Sequence, residues 1–96
     1  MTSVFTEDSA ERKKFPVYSG VINYFPDAIA MIARISYEGN EKHNPGTPLH
    51  WDRSKSGDEL DALERHVVDK DWGEVAWRGL ANLQKQIENG YKWGGL

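Results

Sequence analysis

From Gly39 to Gly57 the chain reads GNEKHNPGTPLHWDRSKSG, nineteen residues with neither helical nor strand periodicity, set between two segments whose apolar residues recur at helical spacing. A connection of that length is uncommon inside a compact domain unless it binds something, covers a site or is disordered. Trp51, Leu49 and the turns fixed by Pro45 and Pro48 give it material to pack with, so the sequence predicts an ordered loop. Any fold open to this chain has to be built around that loop.

The flanking segments carry helix start and stop signals. Pro26 suits a first helical position and Asp27 the positive end of a helix dipole, and Phe25, Ala28, Ile29, Ile32 and Ile35 then recur on one helix face until Gly39, a natural stop. Upstream, Val21, Ile22 and Tyr24 predict a short helical turn that Pro26 separates from this helix. A second helix opens at Ser56-Gly57-Asp58-Glu59, a capping box, with Leu60, Leu63 and Val67 as its inward stripe and Asp58, Asp61 and Arg65 on the opposite side. A third starts at Asp71-Trp72-Gly73-Glu74 and carries Trp72, Val75, Ala76, Leu80, Leu83 and Ile87 on one face before Gly90. No stretch alternates with period two over strand length. The expected fold is all-α, a small three-helix bundle with a long ordered loop between the first and second main helices. Residues 1–15 read as a flexible N-terminal arm that Phe15, Pro16, Val17 and Tyr18 anchor, residues 16–90 as a single helical domain, and residues 91–96 as a tail.

Ninety-six residues with 39% hydrophobic content are near the size at which one core is only marginally sufficient, so the chain is expected to form a homo-oligomer. Trp77, on the flank of the third helix, and Trp93, beyond Gly90, are either subunit contacts or pack against the arm or loop of the same chain. With no cysteine there is no disulfide framework, thiolate zinc site or catalytic thiol. No apolar run of about 18 residues occurs and the first residues do not read as a secretory signal, so the expected location is the cytoplasm, with no membrane partner. A net charge of −3 speaks against general affinity for nucleic acid, which rests on a basic surface.

Any anion site must therefore be local, and the loop is where its components gather. His43, His50, Arg53 and Lys55 supply donors for phosphate oxygens, Trp51 a surface for a base, and Asn44 a group for a base edge or ribose. Gly46 lets backbone N–H groups approach an anion, and the start of the second helix, just after Lys55 and Ser56, attracts one. Taken singly, Arg53 and Lys55 also read as solvated surface and Trp51 as a lid over a small core.

Two acidic pairs flank the same loop. Glu38 and Glu41 close the first helix and Asp58 and Asp61 open the second, each three residues apart, a spacing that can present oxygen ligands to Mg²⁺. Against this, Gly39 and Asn40 are expected to interrupt the helix inside the first pair, and Asp61 can simply pair with Arg65. The three histidines at 43, 50 and 66 match no zinc-ligand spacing, and His66 reads as a structural hydrogen-bonding residue. No nucleophile elbow, P-loop or dinucleotide-binding fingerprint is present.

Several runs together resemble a known family. They are Tyr24-Phe25-Pro26-Asp27-Ala28, then Gly39 through Gly46, then Pro48-Leu49-His50-Trp51 with Arg53, Lys55 and Ser56, and onward Asp58, Asp61-Ala62-Leu63, Arg65-His66 and Ala76-Trp77-Arg78. This pattern, over roughly residues 20 to 88, resembles the small phage and prophage domain labelled the N-terminal domain of a dATP/dGTP diphosphohydrolase. That family is distantly similar to the all-α MazG-like nucleotide pyrophosphohydrolases, which hold magnesium with paired acidic motifs on oligomeric helices. The resemblance implies a viral origin, an oligomeric helical fold and a purine nucleotide as ligand.

Two expectations of function follow. The first is a nucleotide-binding protein without turnover that sequesters a phosphorylated purine nucleotide, such as a host immune signal, through His43, Asn44, His50, Trp51, Arg53, Lys55, Ser56 and Arg65. The second is a Mg²⁺-dependent diphosphohydrolase in which Glu41, Asp58 and Asp61, with Glu38 as a further metal ligand, activate water and release pyrophosphate. A scaffold or accessory subunit with no ligand of its own is the third.

Overall fold

The structure, a computed structural model, describes residues 4–53 and 59–92. Among these every regular element is helical: α1 (Ser9–Arg12), a π-helical turn (Tyr18–Ile22), α2 (Pro26–His43), α3 (Glu59–Val68) and α4 (Trp72–Glu88). The all-α expectation holds. None of these helices is long and apolar enough to cross a membrane.

The chain divides into two compact units. One comprises Met1–Pro26 with Gly79–Leu96, and the other Asp27–Arg78. In the first, the arm contains more order than its polar composition suggests. Asp8 caps α1 by accepting from the Ala10 N–H at 3.0 Å, and the rings of Phe5 and Phe15 lie 6.4 Å apart. The expected turn before Pro26 is the π-helical one, closed by the Asn23 N–H donating to the Tyr18 carbonyl at 2.7 Å.

The second unit holds α2, the loop, α3 and the first turns of α4. Its largest departure from expectation is the end of α2. The helix passes through Gly39 and continues to His43, so Gly39 to His43 belong to a helix and not to the loop. A glycine inside a helix costs about 1 kcal/mol relative to alanine but does not end it; termination needs a residue that leaves the helical conformation. That happens at Asn44-Pro45-Gly46-Thr47, where the Thr47 N–H donates to the Asn44 carbonyl at 3.2 Å and Gly46 has φ 78°. Proline second and a left-handed glycine third make a type II turn.

The ends of α3 and α4 share one device. At α3 the Asp71 N–H reaches back to the His66 carbonyl (2.9 Å) and the Lys70 N–H to Val67 (3.0 Å); at α4, Tyr91 reaches Gln86 (2.9 Å) and Gly90 reaches Ile87 (3.0 Å). These are paired Schellman closures, which place the residue after the cap in the left-handed region. Gly90 takes it at φ 93° without a Cβ in the way, whereas at the equivalent place in α3 it is Lys70, at φ 57°.

The packed faces coincide with the expected apolar stripes only in part. On α2, Ile29, Ile32 and Ile35 are half-buried as expected, but Phe25 and Ala28 are exposed and the most buried position is Asn40. On α3 the packed residues are Ala62, with Glu59, Leu63 and His66 half-buried, while Leu60 and Val67 face outward. On α4 Ala81 is buried and Val75 and Ile87 are half-buried, but Trp72, Ala76, Leu80 and Leu83 are exposed. The buried helical positions among the described residues are thus Ala62, Ala81 and Asn40, with alanine at two of the three. Gly73 shows how close α4 comes to α2: a Cβ there would lie 2.8 Å from Ile35 Cδ1.

Candidate functional site

Two ties of the loop to the helices lie among the described residues. The first is at its entry. Asn40, only 6% exposed, donates from Nδ2 to the Thr47 carbonyl at 3.1 Å, and the Thr47 hydroxyl donates to the Asn44 carbonyl at 2.6 Å. Asn40 therefore clamps the type II turn to the last turn of α2. Its Oδ1 is buried with no hydrogen-bond partner among the described residues. In a buried amide that is a costly arrangement, since an unmade bond forfeits about 1–3 kcal/mol of desolvation.

The second tie lies in mid-loop. The close approach of α4 to α2 at Gly73 and Ile35 brings Trp77, one turn further along α4, up to Ser36, the residue after Ile35. The indole Nε1–H donates to Ser36 Oγ at 2.6 Å. With its nitrogen satisfied, the Trp77 ring meets Trp51 of the loop edge to face, centroids 5.9 Å apart and planes at 83°. Over Trp51 in turn stands the Arg53 guanidinium, 4.4 Å from the ring centroid. Ser36, Trp77, Trp51 and Arg53 form a stack that begins on a helix and ends on a cation. Of the two roles open to Trp77, the one realised here is packing against the long loop of its own chain.

Of the residues expected to bind a ligand, Trp51 and Arg53 are brought together. His43 closes α2 and is exposed; Asn44 is half-buried in the turn; His50 is exposed beside Trp51; Arg65 is exposed on α3. Lys55, Ser56, Gly57 and Asp58 lie outside the described residues, as does Trp93. His66 has its Nδ1 3.3 Å from Asp71 Oδ2, linking α3 to the start of α4. Asp71 thus engages a side chain on the preceding helix.

The acidic residues are distributed as follows. Because α2 is continuous, Glu38 and Glu41 stand three apart on one helix, and the expected interruption at Gly39 and Asn40 does not occur. Glu38 is engaged by Arg34 at 2.6 Å, an exposed i,i+4 pair; Glu41 is exposed, and so is Asp61 in the first turn of α3. Among the described residues no three His, Asp or Glu side chains gather closely enough to hold a metal ion.

Ser36 and Asn40 escape a reading that looks for loop cations and aromatics. Their signal is positional: two polar residues four apart fall on the face of α2 that carries Ile29 and Ile32, where an apolar side chain would be expected. Comparison of the chain with family models, with curated proteins and with solved structures finds no match.

Proposed function

We propose that this protein is an oligomer of small helical bundles that captures a phosphorylated purine nucleotide without turning it over, in keeping with a phage protein that sequesters a nucleotide signal in its host's cytoplasm. The observation that carries the reading is the Arg53 guanidinium 4.4 Å above Trp51, a ring itself braced by Trp77. A planar cation suits phosphate oxygens and an indole suits a base, so the pair already holds both recognition elements of a nucleotide at one place. Binding then proceeds by exchange: Arg53 leaves the indole for a phosphate, and the base takes its place over the ring. His43, His50, Lys55, Ser56 and Arg65 supply further donors, and Asn44 meets the base edge or ribose. The resemblance of the residue pattern to the phage and prophage domain family is what suggests a purine.

The test mixes purified protein with ATP, dATP, dGTP and cyclic purine dinucleotides, measures binding by calorimetry, then heat-denatures the complex and identifies the released nucleotide. Intact recovery is expected, with affinity falling at least tenfold in Trp51→Ala and in Arg53→Ala. Binding by none of these nucleotides, or equal affinity in both variants, would refute the site.

One observation favours a second reading, a Mg²⁺-dependent diphosphohydrolase: the unbroken α2 that keeps Glu38 and Glu41 on one helix. Glu38, Glu41 and Asp61 are not gathered for a metal among the described residues, so this reading requires them to converge with Asp58 on the ion, which would neutralise phosphate charge and activate water. This reading requires pyrophosphate release from dATP or dGTP that stops in EDTA.

A further inference from the structure

The segment ahead of the π-helical turn folds around a cleft. Asp8 starts α1 by accepting from the Ala10 N–H at 3.0 Å, and its own N–H donates to Thr6 Oγ1 at 3.3 Å, so the chain turns there. After α1 the Lys14 N–H reaches the Glu11 carbonyl at 3.0 Å and the Phe15 N–H reaches the Arg12 carbonyl at 3.1 Å, tight turns that bring the Phe15 ring to 6.4 Å from that of Phe5. Between the two rings and α1 lies a cleft of about 350 Å³, lined by Phe5, Ser9, Arg12, Lys13 and Phe15. Small-molecule sites span roughly 300–1,000 Å³, so this one is at the small end of that range. All five residues belong to one compact unit.

The lining is chemically divided. Ser9, Arg12 and Lys13 follow one another at helical spacing and share one face of α1, where they present a hydroxyl, a guanidinium and an ammonium group. No carboxylate is among the five. Among the described residues neither Arg12 nor Lys13 forms an ion pair, whereas Lys14 is held by Glu11 at 2.9 Å and lies outside the lining. Phe5 and Phe15 supply the apolar wall. A site with charged donors on one side and hydrocarbon on the other suits a ligand divided in the same way.

Charge also limits the size of that ligand. Over residues 4–15, the acids Glu7, Asp8 and Glu11 balance the cations Arg12, Lys13 and Lys14, so the segment as a whole offers no net positive charge to a membrane surface or a nucleic acid. The uncompensated cations are confined to the cleft.

We propose that this cleft binds a small organic anion, a carboxylate or phosphate group carried on an apolar body. Arg12 and Lys13 hold the anionic oxygens, the Ser9 hydroxyl donates to one of them, and the apolar body lies against Phe5 and Phe15. The site goes beyond nucleotide capture and shares no residue with it, so either can fail without the other.

The experiment titrates the ¹⁵N-labelled full chain with phenylacetate and with phenyl phosphate, and with phenylacetamide and phenethylamine as neutral and cationic counterparts. At least one anion should shift the amide resonances of Ser9, Arg12, Lys13 and Phe15 saturably, with Kd of about 1 mM or tighter; the tighter of the two identifies the headgroup. Phenylacetamide should bind at least tenfold more weakly, and phenethylamine should leave these resonances in place. Arg12→Gln and Lys13→Gln should each weaken the anion at least threefold, whereas Lys14→Gln, the same change of charge one residue away, should alter it less than twofold. Phe5→Ala should weaken it at least threefold. Absence of saturable shifts with both anions overturns the site, as does equal affinity for phenylacetamide. An equal loss in Lys14→Gln overturns it too, since the anion would then be answering bulk charge. Should Phe5→Ala disturb the fold, the three exposed charge variants decide.

Discussion

Changing Asn40 to aspartate replaces one nitrogen by one oxygen, and the structure makes that exchange expensive. The side chain is 6% exposed, its Nδ2 donates to the Thr47 carbonyl at 3.1 Å, and its Oδ1 has no partner among the described residues. In Asn40→Asp at neutral pH the donor disappears, with a loss of about 1 kcal/mol, and a carboxylate oxygen faces a carbonyl oxygen at the same separation. A buried charge with no compensating donor costs several kcal/mol more, so the destabilisation should be about 3–5 kcal/mol. A chain of this length has a total stability of order 5–14 kcal/mol, so the loss is large. Its pH dependence identifies its cause. Burial without donors raises the new carboxyl's folded pKa above its unfolded value, so the variant is penalised above that folded pKa and relieved as pH falls toward the unfolded one, about 3.9. Once protonated, the introduced carboxyl group can again donate to the Thr47 carbonyl, through its hydroxyl. Urea titrations of wild type and variant, followed by tryptophan fluorescence at matched protein concentration at pH 7 and pH 4, measure the difference. A deficit under 1 kcal/mol at pH 7, or a deficit unchanged at pH 4, would show that the Asn40 side chain is not held in a dry clamp.

Lys70→Gly removes a Cβ from a left-handed position and should stabilise the protein by about 1 kcal/mol, raising Tm by roughly 4–8 °C, whereas Lys70→Val should lower it; differential scanning calorimetry reads both. Trp77→Phe keeps a ring against Trp51 but loses the hydrogen bond to Ser36, and in a double-mutant cycle with Ser36→Ala the coupling should be about 1 kcal/mol. A coupling near zero would mean that the 2.6 Å contact contributes no net stability.

The helices were legible in the sequence because their starts depend on local chemistry. Pro26 opens α2, and Trp72 opens α4 right after Asp71. Which face each helix buries was less legible, because that depends on what it packs against. Leu60, Leu80 and Leu83 look like core by size, yet within one chain the tightly packed positions are Ala62, Ala81 and Gly73, whose small side chains admit a close neighbour. Gly39 misled for a related reason: a glycine marks a helix end only where the backbone turns left-handed, and the residue that does so is Gly46. In the candidate site, Trp51 and Arg53 were legible as chemistry, two residues apart in a loop. Their placement was not, since it is decided by Trp77 and Ser36, 41 residues apart in sequence.

The edge-to-face pair of Trp51 and Trp77 also makes the protein report on itself. Two indoles with centroids 5.9 Å apart couple their electronic transitions, and the circular dichroism of that couple vanishes once the rings separate. Only the loop need move for this to happen; α2 and α4 can stay folded, and local opening of that kind lies well below global unfolding in free energy. A change in the aromatic couplet at constant helical signal would then time the release of the loop directly, with no label attached.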